Sequence, residues 1–123
     1  MIATLRLAAL DCPDAPALAA FYGEITGWPI ADDSDGDWFE LAAPEGVTLA
    51  FQEVADHQPP AWPSGVPPQQ AHLDFAVGSL DEAEIQVLAL GAVKADVQPE
   101  PDQWRVYIDP AGHPFCFVLA AAD

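Results

Sequence analysis

His72 and Asp74 stand two residues apart in the segment AHLDFAV (71–77). In an extended strand, residues i and i+2 share a face, so the imidazole and the carboxylate can meet there. An Asp beside a His fixes the ring's tautomer, which suits a general base or a hydrogen-bonding anchor for a ligand. A plainer role suits His72 equally: a ring whose hydrogen bonds steady the sheet. Cys116, in HPFCFVL (113–119), is the other group with chemical capacity. A nucleophilic thiol needs a base and an electropositive setting, and the chain offers little of the second, so Cys116 reads as a buried apolar cysteine. His113, in the turn PAGHPF, and His57, in a proline-rich stretch, read as surface residues.

Four aromatic residues could wall a site for a small apolar molecule: Trp38, Trp62, Trp104 and Tyr107. Ordinary core packing suits each of them as well. Trp62 lies among prolines, where it could close over a cavity or pack at a dimer contact. Trp28 follows a helix-ending glycine and reads as core.

The charge balance narrows the partners. Lys and Arg number 3 against 20 Asp and Glu, for a net charge of −17. The three cations are Arg6, Lys94 and Arg105. Nucleic acid and anionic membranes both require clustered Lys and Arg, so neither is an expected partner. The acidity mainly serves solubility, although it leaves room for a cationic ligand. Cys12 and Cys116 are far apart and form no CxxC motif, which fits free thiols in a reducing cytoplasm. The N-terminal stretch MIATLRLAALDCPD is a poor signal peptide and too short for a membrane span. The expected location is cytoplasmic.

These residues must be positioned by a repeated unit. LRLAALDCP (5–13) leads through Asp14 into APALAAFYGEITG, and AHLDFAVG leads through Ser79 into LDEAEIQVLALGA. Asp14 and Ser79 are good N-caps, Pro16 suits a first helical turn, and Gly27 and Gly91 should end the helices. Leu18, Phe21, Tyr22 and Ile25 have helical spacing, as do Leu80, Ala83, Val87 and Leu88 or Leu90. WFELAAPEGVTLAF (38–51) then matches WRVYIDPAGHPFCF (104–117), Trp on Trp, Pro on Pro, Gly on Gly and Phe on Phe. Each is a β-hairpin. PIADDSDG (29–36) and VKADVQPE (93–100) should each hold one short strand. The result is one α+β domain over 1–123. It has a βαβββ module at 1–54, a linker at 55–70 whose five prolines favour an extended connector, and a second βαβββ module at 71–123.

The two-module order, DAPALAAFYGEITGW, HLDFAV and DPAGHPFCF resemble the vicinal oxygen chelate superfamily, in particular its short glyoxalase-like and bleomycin-resistance-like branch. The resemblance implies a curved mixed sheet around a cavity, helices on the convex side, and a homodimer. With strand alternation it turns His72, Asp74, Cys116, Leu7, Ala50 and Gln52 toward the cavity, while Leu49, Phe51, Leu73, Phe75, Phe115 and Phe117 pack under the helices. In metal-using members one ligand comes from each of four strands. The matching positions here are Leu7, Ala50, His72 and Cys116. Leu7 and Ala50 cannot ligate, and Asp74 stands one strand repeat from His72. No cofactor is therefore expected, and His72 is the one position that matches the family's metal ligands. The function implied is binding of a small apolar or aromatic molecule without the family metal. The alternative is an enzyme of lyase, isomerase or dioxygenase type, either metal-dependent or using His72 as general base with Asp74 as its orienting partner. A structural or protein-interaction domain would instead fill the cavity with its own side chains.

Overall fold

The computed structural model describes residues 1–120. The chain divides into two compact units, Met1–His57 and Gln58–Asp123.

In the first unit, β1 (Leu7–Cys12) is followed by α1 (Ala15–Thr26), β2 (Trp38–Glu40) and β3 (Thr48–Glu53). Its sheet has the order β1-β3-β2, with β1 parallel and β2 antiparallel to β3. Asp14 caps α1 by accepting from the Ala17 N–H at 3.1 Å, and the Glu53 carboxylate takes the Ala15 N–H at 3.0 Å. Gly27 ends the helix in the left-handed region at φ 75°, where a side chain would be strained. Leu18, Phe21 and Tyr22 are buried with Leu49 and Phe51. The Tyr22 and Phe51 rings stack with centroids 5.6 Å apart.

The strand expected within PIADDSDG is reduced to single bridges, Ile30 to Leu41 and Asp35 to Trp38. Asp32, Asp33, Ser34, Asp35 and Gly36 are turn formers, whose short polar side chains compete with a ladder for backbone groups.

In the second unit, β4 (Leu73–Val77), α2 (Leu80–Ala89), β5 (Val93–Lys94), β6 (Trp104–Ile108) and β7 (Pro114–Leu119) give the sheet order β4-β7-β6-β5. β4 runs parallel to β7; the other pairs are antiparallel. Ser79 caps α2 through the Glu82 N–H. The cap at the other end falls on Leu90, one residue before the expected Gly91. β5 stops after two residues because the Gln98 amide takes over its role. Gln98 donates to the Val106 carbonyl at 2.7 Å and accepts from the Val106 N–H at 2.9 Å.

Phe75, Tyr107, Phe115 and Phe117 cluster with centroids 5.4–6.3 Å apart. On α2, Leu80 and Val87 are buried, while Leu88 and the capping Leu90 are exposed. The helix is also held through Glu84. Tyr107 donates its hydroxyl to this carboxylate at 3.0 Å, Lys94 lies 3.0 Å away and Arg105 3.5 Å. Arg105 also pairs with Asp81 at 2.9 Å. Burial pushes the Glu84 pKa up, but the hydrogen bonds from Lys94 and Tyr107 and the charges of Lys94 and Arg105 outweigh it, so the net shift is down. Burial first, then the bond to Glu84, pushes the Tyr107 hydroxyl far above its ordinary range.

The proline-rich segment is not an extended connector. It turns back on itself, with the Ala61 N–H donating to the Pro67 carbonyl at 2.8 Å and a bridge from Ala61 to Pro68. Gly65 packs so closely on Ala61 that a side chain there would collide with it. Among the described residues no helix is long and apolar enough to cross a membrane.

Candidate functional site

The site lies on one face of the second unit's sheet. Strand alternation sends Leu73 and Phe75 to the helix side and Asp74 to the other. The register sets Asp74 beside Cys116 and Cys116 beside Val106. Trp104 and Val118 continue the same face one repeat along. Trp62 and Gln69, from the folded-back proline segment, complete the wall of an open cavity of about 430 Å³.

Three polar groups converge within it. His72 Nε2 lies 3.1 Å from Asp74 Oδ1, and His72 Nδ1 lies 3.4 Å from the Gln69 amide nitrogen. A carboxylate only accepts, so Nε2 carries the proton and Nδ1 accepts from Gln69. Both ring nitrogens are thereby engaged. The Cys116 thiol also donates to Asp74. Burial first, then the charge and hydrogen bond of Asp74, pushes the Cys116 pKa up to about 11. Cys116 is therefore a protonated thiol at neutral pH, not an activated nucleophile.

The donor set was tested against the metal that the resemblance implies. One donor atom each from His72, Asp74 and Cys116 lie within 4.8 Å of one another. Nitrogen, carboxylate and thiolate are the donors zinc takes, and three of them leave a position open. The set thus fits a borderline divalent ion in kind and number. Asp74 joins the cluster as its i, i+2 spacing from His72 on one strand face allows, although it is not one of the four positions that match the family's ligands. Binding an ion would require the imidazole N–H and the thiol S–H to leave, so it would release protons.

Of the residues expected to form the site, His72, Asp74, Cys116, Trp62 and Trp104 are brought together. Tyr107 is not. It points to the opposite face of β6, fully buried and bonded to Glu84, because it is three residues from Trp104 and so of opposite parity. Leu7, Ala50, Gln52 and Trp38 lie on the first unit's sheet. There Leu7 pairs with Thr48, Ala50 with Ala9 and Glu40, and Gln52 with Asp11 and Trp38. Trp38 Nε1 donates to Glu40 at 3.4 Å. Val106 and Gln69 were missing from the expected site. Alternation from Trp104 would have found Val106. Gln69 carries no such signal, since its place depends on how the proline segment folds back.

The sequence model of the family described as glyoxalase-like domain matches residues 8–118. No curated protein matches the sequence. Solved structures share the fold. A glyoxalase/bleomycin resistance protein/dioxygenase family enzyme from Burkholderia phytofirmans PsJN superposes with a TM-score of 0.74 at 18% identity, over 97% of this chain and 100% of that one. A glyoxalase-related enzyme from Fulvimarina pelagi gives 0.69 at 19% identity, over 97% and 89%. The bleomycin-binding protein from bleomycin-producing Streptomyces verticillus, complexed with copper(II)-bleomycin, gives 0.62 at 17% identity, over 98% and 100%.

Proposed function

Since the chain belongs to the glyoxalase-like domain family, within the vicinal oxygen chelate superfamily, we propose that it binds a small apolar or aromatic molecule in the second unit's cavity, without a metal. The observation that carries this reading is the state of the cavity's polar groups. Trp62, Trp104, Val106 and Val118 supply a largely apolar wall, while Asp74 engages both His72 and Cys116 beside it. A pocket of this kind binds by burial and orients its ligand with few polar contacts. The cavity's open volume argues against a domain that fills it with its own side chains. The protein from Streptomyces verticillus, complexed with copper(II)-bleomycin, is a precedent for small-molecule binding on this fold. In this reading the protein works in the cytoplasm as a homodimer and sequesters its ligand.

The convergence of three zinc-type donors favours a second reading, a metal-dependent enzyme of lyase, isomerase or dioxygenase type. His72, Asp74 and Cys116 would hold the ion, which would polarise a substrate oxygen or activate a water. The metal-free enzyme, with His72 as base, would need the Gln69 contact to open and free Nδ1.

Elemental analysis of purified protein, paired with tryptophan-fluorescence titration of an aromatic compound panel in chelator, separates these readings. We expect no stoichiometric metal, and quenching that is lost in Trp62→Ala and Trp104→Ala. A stoichiometric ion without which no compound binds would overturn the metal-free reading. Turnover that survives chelation and dies in His72→Ala would establish the metal-free enzyme.

A further inference from the structure

We infer that the ligand of this cavity is an organic cation, an aromatic or alkyl-bearing ammonium held between Trp62, Trp104 and Asp74. The inference rests on the proposed small-molecule reading and names the class of molecule.

The argument begins with unbalanced charge. Among the described residues, Asp74 is the one carboxylate that lines the cavity, and no Lys or Arg lines it. All three cations of the chain are committed to other acids: Arg6 to Glu40, Lys94 to Glu84, and Arg105 to Asp81 and Glu84. The partners Asp74 does have are the His72 ring at 3.1 Å and the Cys116 thiol, neither of them a Lys or Arg. A carboxylate has about four acceptor sites, so two bonds leave capacity for a further donor. The Asp74 side chain is 55% exposed, so that capacity is open to the cavity.

Each class of ligand meets these facts differently. An anion would face a carboxylate with no cationic group to offset it. A neutral apolar molecule would gain from the tryptophans but would strip water from the carboxylate without replacing it. A cation with an apolar body gains on both counts. Its charge meets Asp74, and indole faces attract cations more strongly than any other side-chain ring. The net charge of −17 adds a field that concentrates cations around the molecule.

The test compares three probes of nearly one shape on the full chain: benzyltrimethylammonium, its uncharged isostere neopentylbenzene, and benzylsulfonate. Binding is read by tryptophan fluorescence and by ligand-detected NMR. The cation should bind at least about tenfold more tightly than the isostere, benzylsulfonate should not bind, and added salt should weaken the cation alone. Asp74→Asn should take away most of the cation's advantage over the isostere, and the isostere, no longer desolvating a carboxylate, should bind no more weakly than before. Wild-type protein supplies the main comparison, so a poorly folded variant does not blunt the test. Equal or tighter binding of neopentylbenzene would overturn the cation inference while sustaining an apolar site. If none of the probes binds and a wider neutral panel also fails, the small-molecule reading falls with it.

Discussion

The two units repeat one strand order, yet their corresponding sheet faces carry different chemistry. Where the second unit sets Asp74 beside Cys116, and Cys116 beside Val106, the first sets Ala9 beside Ala50, and Ala50 beside Glu40. Leu7 occupies the place of His72, and Trp38 that of Trp104. The first unit's face does hold a carboxylate, but Arg6 lies 3.3 Å from Glu40 and Trp38 donates to it. Asp74 has no such cation. The helices differ in the same spirit. α1 is mounted on stacked aromatics, and α2 on a carboxylate that gathers a phenol and two cations. Duplication thus set the positions, and the side chains placed on them divided the labour, one unit built for packing and the other exposing polar groups.

The largest expected effect breaks the packing side of this comparison. Phe51 is fully buried and stacks on Tyr22. Phe51→Ala should remove about 3–5 kcal/mol of stability, since truncating a core ring loses burial and leaves a void. Urea unfolding measures it. A loss no larger than that of Arg105→Ala, whose partners are partly or wholly exposed, would show that the first unit does not depend on its aromatic mount.

The elements of this fold were largely legible in the sequence because caps, turn residues and apolar spacing act locally. Asp14, Ser79 and the two hairpins stand where they were read. Of the two short strands, the one within VKADVQPE forms as β5, and the one within PIADDSDG does not. The aspartates of 32–37 outcompeted a ladder, and the Gln98 side chain cut β5 to two residues, and neither effect has a periodic signature. Alternation placed His72, Asp74 and Cys116 on one face and paired His72 with Asp74, but the family's four ligand positions left Asp74 out of the donor set. Tyr107 was assigned to the site by residue type alone, against its own parity. Gln69 depended on the path of a folded-back loop, which only tertiary contacts decide.

The next effect sharpens the chemical side. With its pKa pushed up from 9.0 to about 11, Cys116 should react with a thiol reagent ~100-fold more slowly at pH 8 than an ordinary thiol, and the rate should climb until about pH 11. Peptide mapping of the labelled protein separates Cys116 from Cys12. In Asp74→Asn the midpoint should fall only part of the way, because burial is the larger cause. The sign for stability follows. A proton held more tightly in the folded state stabilises the fold fully below the unfolded thiol's pKa, and that contribution is lost as pH rises through about 11. Fast labelling at pH 8 would contradict a thiol shielded by burial and Asp74.

A smaller effect tests the polar mount of α2. Glu84→Ala leaves the buried Tyr107 hydroxyl without its acceptor, which should cost about 1–3 kcal/mol. Adding Tyr107→Phe removes the stranded hydroxyl, so the double variant should be less destabilised than the sum of the two singles. Strict additivity in chemical unfolding would mean that the phenol finds another partner.

The smallest effects compare the two helix starts. Asp14→Ala and Ser79→Ala each remove a cap that accepts one backbone N–H, at about 1 kcal/mol. The two should nevertheless respond differently to salt. α1 has no acidic residue in its first turn, so Asp14 brings its own negative charge to the positive end of the helix dipole. Ser79 is neutral, and α2 keeps Asp81 and Glu82 when it is removed. The loss in Asp14→Ala should therefore shrink as salt screens the charge, while the loss in Ser79→Ala stays constant. Thermal melts of both variants at low and high ionic strength give the answer. If the two losses change in parallel, the charge on Asp14 contributes nothing beyond its hydrogen bond, and the two helix starts are equivalent after all.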